Sequence, residues 1–405
     1  MTEQHNLIPN FELFSPHFNA NPYPIYAQLR EHAPVYPVTS FGGERAWLIT
    51  RYEDAAYILK DYTFSIDRSL FMSSEQINQI TENIDQQLLS DHSMVGCDPP
   101  EHTRLRNLVH KVFTPRMIEG LQGRIDEISH QLLGTVEPQG QMDLIDDFAF
   151  PLPIIIICEM LGVPDSDRLQ FHEWSNVIVG ATPLDAASGH NQKSDFIVYL
   201  EQLFTQRRLQ PGDDLLSSLI AVEEEGSKLS QEELYAMVIL LLVAGHETTV
   251  NLIGNGVLAL LQFPDQLKKL QQHPHLIESA IEEMLRYGAP VDLGVRRWAK
   301  EPLQLHNTTI HTGDLITVSL AAANRDPQYF DKPEQFDIER KDNRHLAFGQ
   351  GVHYCLGAPL ARLEGQIAIN ILLHRLPNLQ LRVPPETLQW NPGPLRGLRA
   401  LPLAF

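Results

Sequence analysis

One segment restricts the folds open to this chain more than any other. Ser230-Gln-Glu-Glu233 has the form of a capping box, in which a serine and a glutamate three residues on satisfy each other's backbone N–H groups. The residues after it are largely apolar, and the next strong breaker is Pro264. The spacing predicts one helix from Ser230 to Phe263, about 34 residues or roughly 50 Å at 1.5 Å per residue. A helix of that length crosses a whole domain, so the remaining elements must pack around it. Its most apolar block, Ala236–Gly245, and a second block, Pro151–Cys158, both fall short of the ~18–20 residues that span a bilayer. His246-Glu247 closes the first block, and ionisable side chains are costly in lipid. Both blocks are expected as buried helices of a globular protein.

Composition narrows the class further. Hydrophobic residues make up 43 % of the 405 residues and charged residues 20 %, which excludes disorder and leaves material for a sizeable core. Lys plus Arg is 31 and Asp plus Glu is 51, a formal net charge of −20. That balance argues against nucleic acid or an anionic membrane as the main partner. The N-terminus has no basic start followed by an apolar run, so no signal peptide is read there. Cys97, Cys158 and Cys355 are too few for a disulfide scaffold and suit a reducing compartment. A soluble cytoplasmic protein is expected.

Around the long helix the pattern is mixed. Val35–Val38 and Ala46–Thr50 alternate about Phe41-Gly42-Gly43-Glu44, which reads as a hairpin. From about Pro99 to Phe263 the pattern is helical, with Leu105, Leu108, Val109 and Val112 forming one apolar stripe. After Tyr287, Leu303–Leu305, Thr308–Ile310 and Leu315–Leu320 look like short strands with a turn at Thr312-Gly313-Asp314. A glycine-rich loop at Phe348–Gly357, another helix and a tail of short strands complete the chain. The plan is α+β and mainly helical, one large domain with small β-sheets.

The most specific signal is Phe348-Gly-Gln-Gly-Val-His-Tyr-Cys355-Leu-Gly357. Gly349, Gly351 and Gly357 permit turns and close approaches that a Cβ would block. Cys355 precedes a helix starting near Pro359, whose N-terminal dipole favours thiolate over thiol. A thiolate held there is a good ligand for a soft or borderline metal. Structural zinc needs about four N or S ligands, and no second cysteine lies nearby. A buried structural cysteine is the ordinary fate of Cys97 and Cys158, but three glycines around Cys355 argue otherwise.

This loop resembles the haem-ligand signature of the cytochrome P450 superfamily, FGxGxHxCxG, at every fixed position. The resemblance implies haem b (iron protoporphyrin IX) with Cys355 as axial ligand, Phe348 packed near the sulfur, Gly357 in the loop and His353 on a propionate. It also implies the P450 fold, a single domain over residues 1–405 with the long helix over the haem.

Inside the long helix lies Ala244-Gly245-His246-Glu247-Thr248-Thr249. Thr is a weak helix former and a buried carboxylate is expensive, so the segment breaks local preference in a way that marks function. His246-Glu247 begins like the zinc-protease H-E-x-x-H, but position 250 is valine and that reading fails. The segment resembles the family's AGxETT motif. By that likeness Gly245 leaves space for dioxygen, Thr248 offers it a hydroxyl, and Glu247 helps relay protons from solvent. Peroxide-using relatives lack this acid–alcohol pair, so the route through O₂ and two electrons is expected.

Further matches occur in the family's order. In Asp98-Pro-Pro-Glu-His102-Thr-Arg104-Leu-Arg106, His102 and Arg106 share one helical face. The resemblance places both on the haem propionates, with Arg297 as another propionate ligand. Glu283-Met-Leu-Arg286 and Arg340 match the family's buried Glu–Arg–Arg network, a structural support for the cysteine loop. Asn324-Arg325-Asp326-Pro327 is a further landmark.

No nucleotide-binding fingerprint appears, so electrons are expected from separate proteins: ferredoxin and ferredoxin reductase, or flavodoxin. Two stretches without acidic residues carry Arg104, Lys111, Arg116 and Arg362, expected to form a docking patch for an acidic ferredoxin. Family substrate-contact regions fall on Ser69–Met94, Phe171–Ser188, Ile239–Thr248, Val291–Val295 and Pro394–Leu395. The first two suggest mobile lids over a roomy pocket. The expected reaction is hydroxylation or epoxidation of a medium-to-large apolar molecule, such as a polyketide or macrolide, terpenoid, steroid or fatty acyl compound. Related bacterial enzymes often tailor polyketides in secondary metabolism. Alternatives are a peroxygenase or oxidative-coupling enzyme, and a non-enzymatic haem sensor or carrier. A monomer is expected.

Overall fold

The capping box forms as the sequence requires. Ser230 Oγ accepts from the Glu233 N–H at 3.2 Å, and Glu233 Oε2 accepts from the Ser230 N–H at 2.7 Å. The helix they open runs Gln231–Gln262, 32 residues, and Pro264 begins the next one. The computed structural model describes residues 11–40, 43–73, 75, 77, 92–168, 170, 171, 173, 174, 186–222 and 229–405, with the backbone alone over 186–194. One expectation needs correction. The apolar block is short, but an 18-residue window of the whole helix reaches a mean hydropathy of 1.7, enough by length and composition to cross a membrane. Of that window 67 % is buried inside the protein, as in a core helix.

Backbone contacts group the chain into two compact units, each assembled from separated stretches. The first comprises Met1–Ile66, Ile125–Phe150 and Thr248–Phe405; the second comprises Asp67–Arg124 and Pro151–Glu247. The long helix belongs to both.

The first unit contains every strand found among the described residues: β1 (Val35–Thr39), β2 (Arg45–Ile49), β3 (Phe64–Ser65), β4 (Gln141–Asp143), β5 (Arg297–Ala299), β6 (Leu303–Leu305), β7 (Thr308–Ile310), β8 (Leu315–Val318), β9 (Gln380–Leu381) and β10 (Pro402–Ala404). The larger sheet has the order β1-β2-β8-β5-β3. The expected hairpin is β1–β2, in register from Val35 opposite Ile49 to Thr39 opposite Arg45. Its turn is closed by the Ser40 N–H donating to the Glu44 carbonyl at 2.7 Å; Phe41 and Gly42 lie outside the described residues. β8 runs parallel to β2. It ends at Val318, short of the expected Leu320, because Ser319 caps a brief helix Leu320–Ala323 by accepting from the Ala322 N–H at 3.0 Å. β4 corrects the reading of the middle of the chain as helices joined by a few loops. Gln-Met-Asp carries no strand signal of its own, and it is a strand because β10 pairs with it. Buried residues of this unit, among them Ile49, Ile58, Leu59, Ile316, Val318, Phe330 and Leu346, form one cluster beneath the larger sheet and the helix Tyr52–Lys60.

The second unit is helical among the described residues. Pro151–Met160 is a helix with Leu152, Ile154, Ile156, Ile157 and Cys158 buried, as its composition predicts. Glu101–His110 buries His102, Leu105, Leu108 and Val109, while Val112 lies past its end and is half-buried. Arg124 and Arg168 both pair with Glu159, at 2.7 and 3.0 Å.

One core group stands out energetically. Glu364, in the helix Ala358–Arg375, is 1 % exposed; it is hydrogen-bonded to Thr249, and its Oε2 has no partner. Burial pushes its carboxyl from an ordinary 4.5 up to about 8. An acid with its folded pKa above the unfolded value keeps a proton that the unfolded chain has released. Stability therefore falls as pH rises from 4.5 to about 8, and the loss is complete above that. Glu364→Gln keeps the shape and removes the charge. The variant's gain in thermal midpoint over the parent is expected to be larger at pH 8 than at pH 5.5; an equal difference at both would refute the buried-acid account.

Candidate active site

The cysteine loop is built on two left-handed glycines. Gly349 and Gly351 have φ of +68° and +78°. A Cβ on Gly351 would lie 2.7 Å from the Leu59 carbonyl oxygen, so the loop can lie against the helix Tyr52–Lys60 only with glycine there. Gly357 differs from expectation. Its φ is −80°, and a Cβ would make ordinary contact with Cys355 Sγ at 3.9 Å; it serves as the cap of the helix Ala358–Arg375. The Cys355 N–H donates to the Phe348 carbonyl at 2.9 Å, closing the loop. Cys355 is exposed, whereas Cys158 is buried and Cys97 half-buried. Burial pushes both of those thiols to about 12, with nearby Glu101 and Asp98 adding to the effect at Cys97. Neither is a thiolate near neutral pH.

Two neighbouring glutamates fix this loop. Glu283 and Arg286 are both 0 % exposed and pair twice at 2.8 Å. Arg340 Nε joins Glu283 Oε2 at 3.1 Å, completing the network expected from Glu283, Arg286 and Arg340. Arg286 Nη1 donates to the Asn324 carbonyl at 3.0 Å, and Asn324 Oδ1 accepts from the Leu346 N–H at 2.7 Å, two residues before Phe348. Glu282 holds the other side. It accepts from Arg362 at 2.7 and 2.8 Å and pairs with His345 at 3.3 Å. Burial alone would raise its carboxyl, but the Arg362 and His345 hydrogen bonds outweigh it and bring the pKa down to about 2. Arg362 also lies 4.6 Å over the Phe348 ring and donates to Tyr354 Oη at 3.2 Å. The sequence offered no reason to single out Glu282, because its partners are 63 and 80 positions away.

On the long helix, Gly245, Glu247 and Thr248 fall within a single turn and none is fully buried. Burial raises the Glu247 carboxyl above its ordinary value. His246 is 1 % exposed and its Nδ1 meets the Leu242 carbonyl at 3.1 Å, a core histidine bonded to its own helix. A Cβ on Gly245 would sit 2.6 Å from Ile157 Cδ1, so this glycine also serves packing. Thr249 is buried and joined to Glu364.

The remaining basic residues divide by environment. His102 is 2 % exposed and Arg106 half-buried on the inward face of their helix, opposite exposed Thr103 and Asn107. Arg297, in β5, is 3 % exposed, and His353 is half-buried in a turn of the cysteine loop. The expected docking patch narrows. Arg104 is held by Glu101 and Glu233, and Arg362 by Glu282, so carboxylates from elsewhere in the chain neutralise both. Lys111 and Arg116 are exposed and form no ion pair among the described residues. Val291–Val295 and Pro394–Leu395 are joined by backbone pairing, Val291 opposite Leu395 and the Asp292 N–H to the Pro394 carbonyl at 2.9 Å. Much of the two expected lid regions, residues 78–91 and 175–185, lies outside the described residues.

The donors suit an iron porphyrin. In the first unit one cysteine stands at a helix start on a loop whose glycine approaches backbone too closely for any side chain, and buried Arg297 is a cationic group of the kind that holds carboxylates.

Comparison with known proteins agrees with these observations. A family model for cytochrome P450 matches residues 187–395. The polyketide biosynthesis cytochrome P450 PksS of Bacillus subtilis (strain 168) is 45 % identical over 400 residues, 97 % of this chain and 98 % of that one. The cytochrome P450 monooxygenase PikC of Streptomyces venezuelae is 45 % identical over 392 residues, covering 96 % and 92 % of the two chains. The crystal structure of myxobacterial cytochrome P450 CYP267B1 with myristic acid superposes with a TM-score of 0.90 at 40 % identity, over 97 % of this chain and 98 % of that one. Likeness at this level along nearly the whole length of several members leaves one assignment, and the chain belongs to the cytochrome P450 family of haem-thiolate monooxygenases.

Proposed function

We propose that Cys355 is the axial thiolate of haem b and that His102, Arg106, Arg297 and His353 hold its propionates, with residues 1–405 working as one domain. The observation that carries this reading is the cysteine loop, where Gly351 seats the backbone against Leu59 and Arg362 fixes Phe348 beside Cys355. Bound haem with a thiolate ligand supplies O–O cleavage and insertion of one oxygen atom into substrate. The protein's own part is proton handling. The Glu247 carboxyl, raised above its ordinary value by burial, relays protons from solvent toward Thr248 Oγ1 on the same helix.

The substrate is a medium-to-large apolar molecule that is hydroxylated or epoxidised, of the polyketide, macrolide, terpenoid, steroid or fatty acyl kind. Polyketide biosynthesis in the name of one relative and myristic acid bound to another support that class. Electrons come from a separate ferredoxin with its reductase, or a flavodoxin, docking on Lys111 and Arg116, and the enzyme acts as a cytoplasmic monomer.

Three measurements test these assignments. In the reduced protein, carbon monoxide is expected to give the thiolate-type Soret band, and Cys355→Ala to lose it; survival of the band in the variant would remove Cys355 as ligand. Thr248→Ala is expected to consume reduced nicotinamide with product falling ~10-fold or more and peroxide rising. Unchanged coupling would count against the proton route. Charge reversal at Lys111 and Arg116 together is expected to raise the half-saturating ferredoxin concentration by ~10-fold and flatten its salt dependence. A variant with wild-type salt dependence would place the partner elsewhere.

A further inference from the structure

A cavity of about 570 Å³ opens in the first unit, between the N-terminal segment around Tyr23 and the C-terminal half of the long helix. None of the residues assigned above to haem, proton transfer or the redox partner lines it. Its volume lies within the range of small-molecule sites, about 300–1,000 Å³.

Two buried guanidinium groups stand in its wall. Arg325, 5 % exposed, lies 3.4 Å over the Tyr23 ring and 3.8 Å over Tyr287. Arg396, 7 % exposed, lies 3.8 Å over Trp390. Their charges are compensated differently. Arg325 pairs with Glu334 at 2.7 Å. Arg396 donates to the neutral carbonyls of Asn19 and Ala20 and makes no ion pair among the described residues. Asp292 acts on Arg396 through space, but it is buried, its oxygens accept from Tyr26 and Ser319, and burial pushes it toward the neutral form. The wall also has unspent hydrogen-bonding capacity, because Arg325 Nε and Asn255 Oδ1 lack partners. Leu258 and Ala259 add apolar surface.

A cation without a carboxylate, beside flat aromatic faces, calls for an anion carried on a flat apolar body. In a chain of net charge −20, such a spot is not general electrostatics but local construction. We infer that this cavity binds a small aromatic carboxylate, its carboxylate on Arg396 and its ring against Trp390 and Tyr23. The inference does not depend on the haem-site assignments.

The holoenzyme is titrated calorimetrically with 2-naphthoate and with the uncharged 2-naphthamide, each with and without a saturating azole on the haem side. One naphthoate should bind per chain, ~10-fold or more tighter than the amide, with no effect of the azole and no Soret shift. Arg396→Gln should weaken naphthoate by at least ~10-fold. Because Arg396 also ties down Asn19 and Ala20, a second variant uses Ala27, an exposed wall residue. Ala27→Glu should weaken naphthoate by ~3-fold or more, leave the amide unchanged and preserve the carbon monoxide spectrum. The inference fails if naphthoate and naphthamide bind alike, if the azole abolishes binding, if Ala27→Glu and a folded Arg396→Gln bind as the parent does, or if no saturable binding occurs up to ~10 mM.

Discussion

The cysteine loop depends on two adjacent glutamates of one helix. Glu283 is sealed among Arg286, Arg340 and Asn343, and through Arg286 it reaches Asn324 and the Leu346 N–H. Glu282, one residue earlier and about 100° around the helix, holds Arg362 and His345 around Phe348. The loop is thereby gripped at its entrance and over its aromatic ring. Removing one partner of a buried pair of this kind typically costs about 3–5 kcal/mol, since the other charge is left uncompensated. The pair is therefore a strong positional constraint even where its net stabilisation over an apolar alternative is small.

The same logic governs how the chain uses its charge. An excess of acids on the surface is cheap, because water screens them. Cations drawn inward are given specific company: carboxylates for buried Arg286 and half-buried Arg362, a carboxylate and two rings for Arg325, carbonyls and a ring for Arg396. Basic residues that looked alike in the sequence thus fall into different roles. Arg104 and Arg362 are structural, and Lys111 and Arg116 keep their charge exposed.

The long helix sets polar side chains in an apolar surrounding. Glu247 and Thr248 lie where burial raises a carboxyl, and one residue further Thr249 meets the buried acid Glu364. Such groups cost stability, and their cost is tolerable because the rest of the helix is apolar and buried.

Much was legible in the sequence because it is local. The capping box at Ser230 and the stop at Pro264 depend on neighbours within one turn, and the structure reproduces both. The β1–β2 hairpin and the glycine–cysteine loop are local in the same sense, since their turn chemistry is written in a few consecutive residues. What only the tertiary structure decided depends on partners far along the chain. Gln141–Asp143 is a strand because Pro402–Ala404 pairs with it, Glu282 matters because Arg362 and His345 meet there, and Glu364 is an acid pushed to about 8 because the core closes over it. Short-range hydrogen bonds are specified by spacing alone, whereas desolvation and long-range ion pairing exist only once the chain has folded.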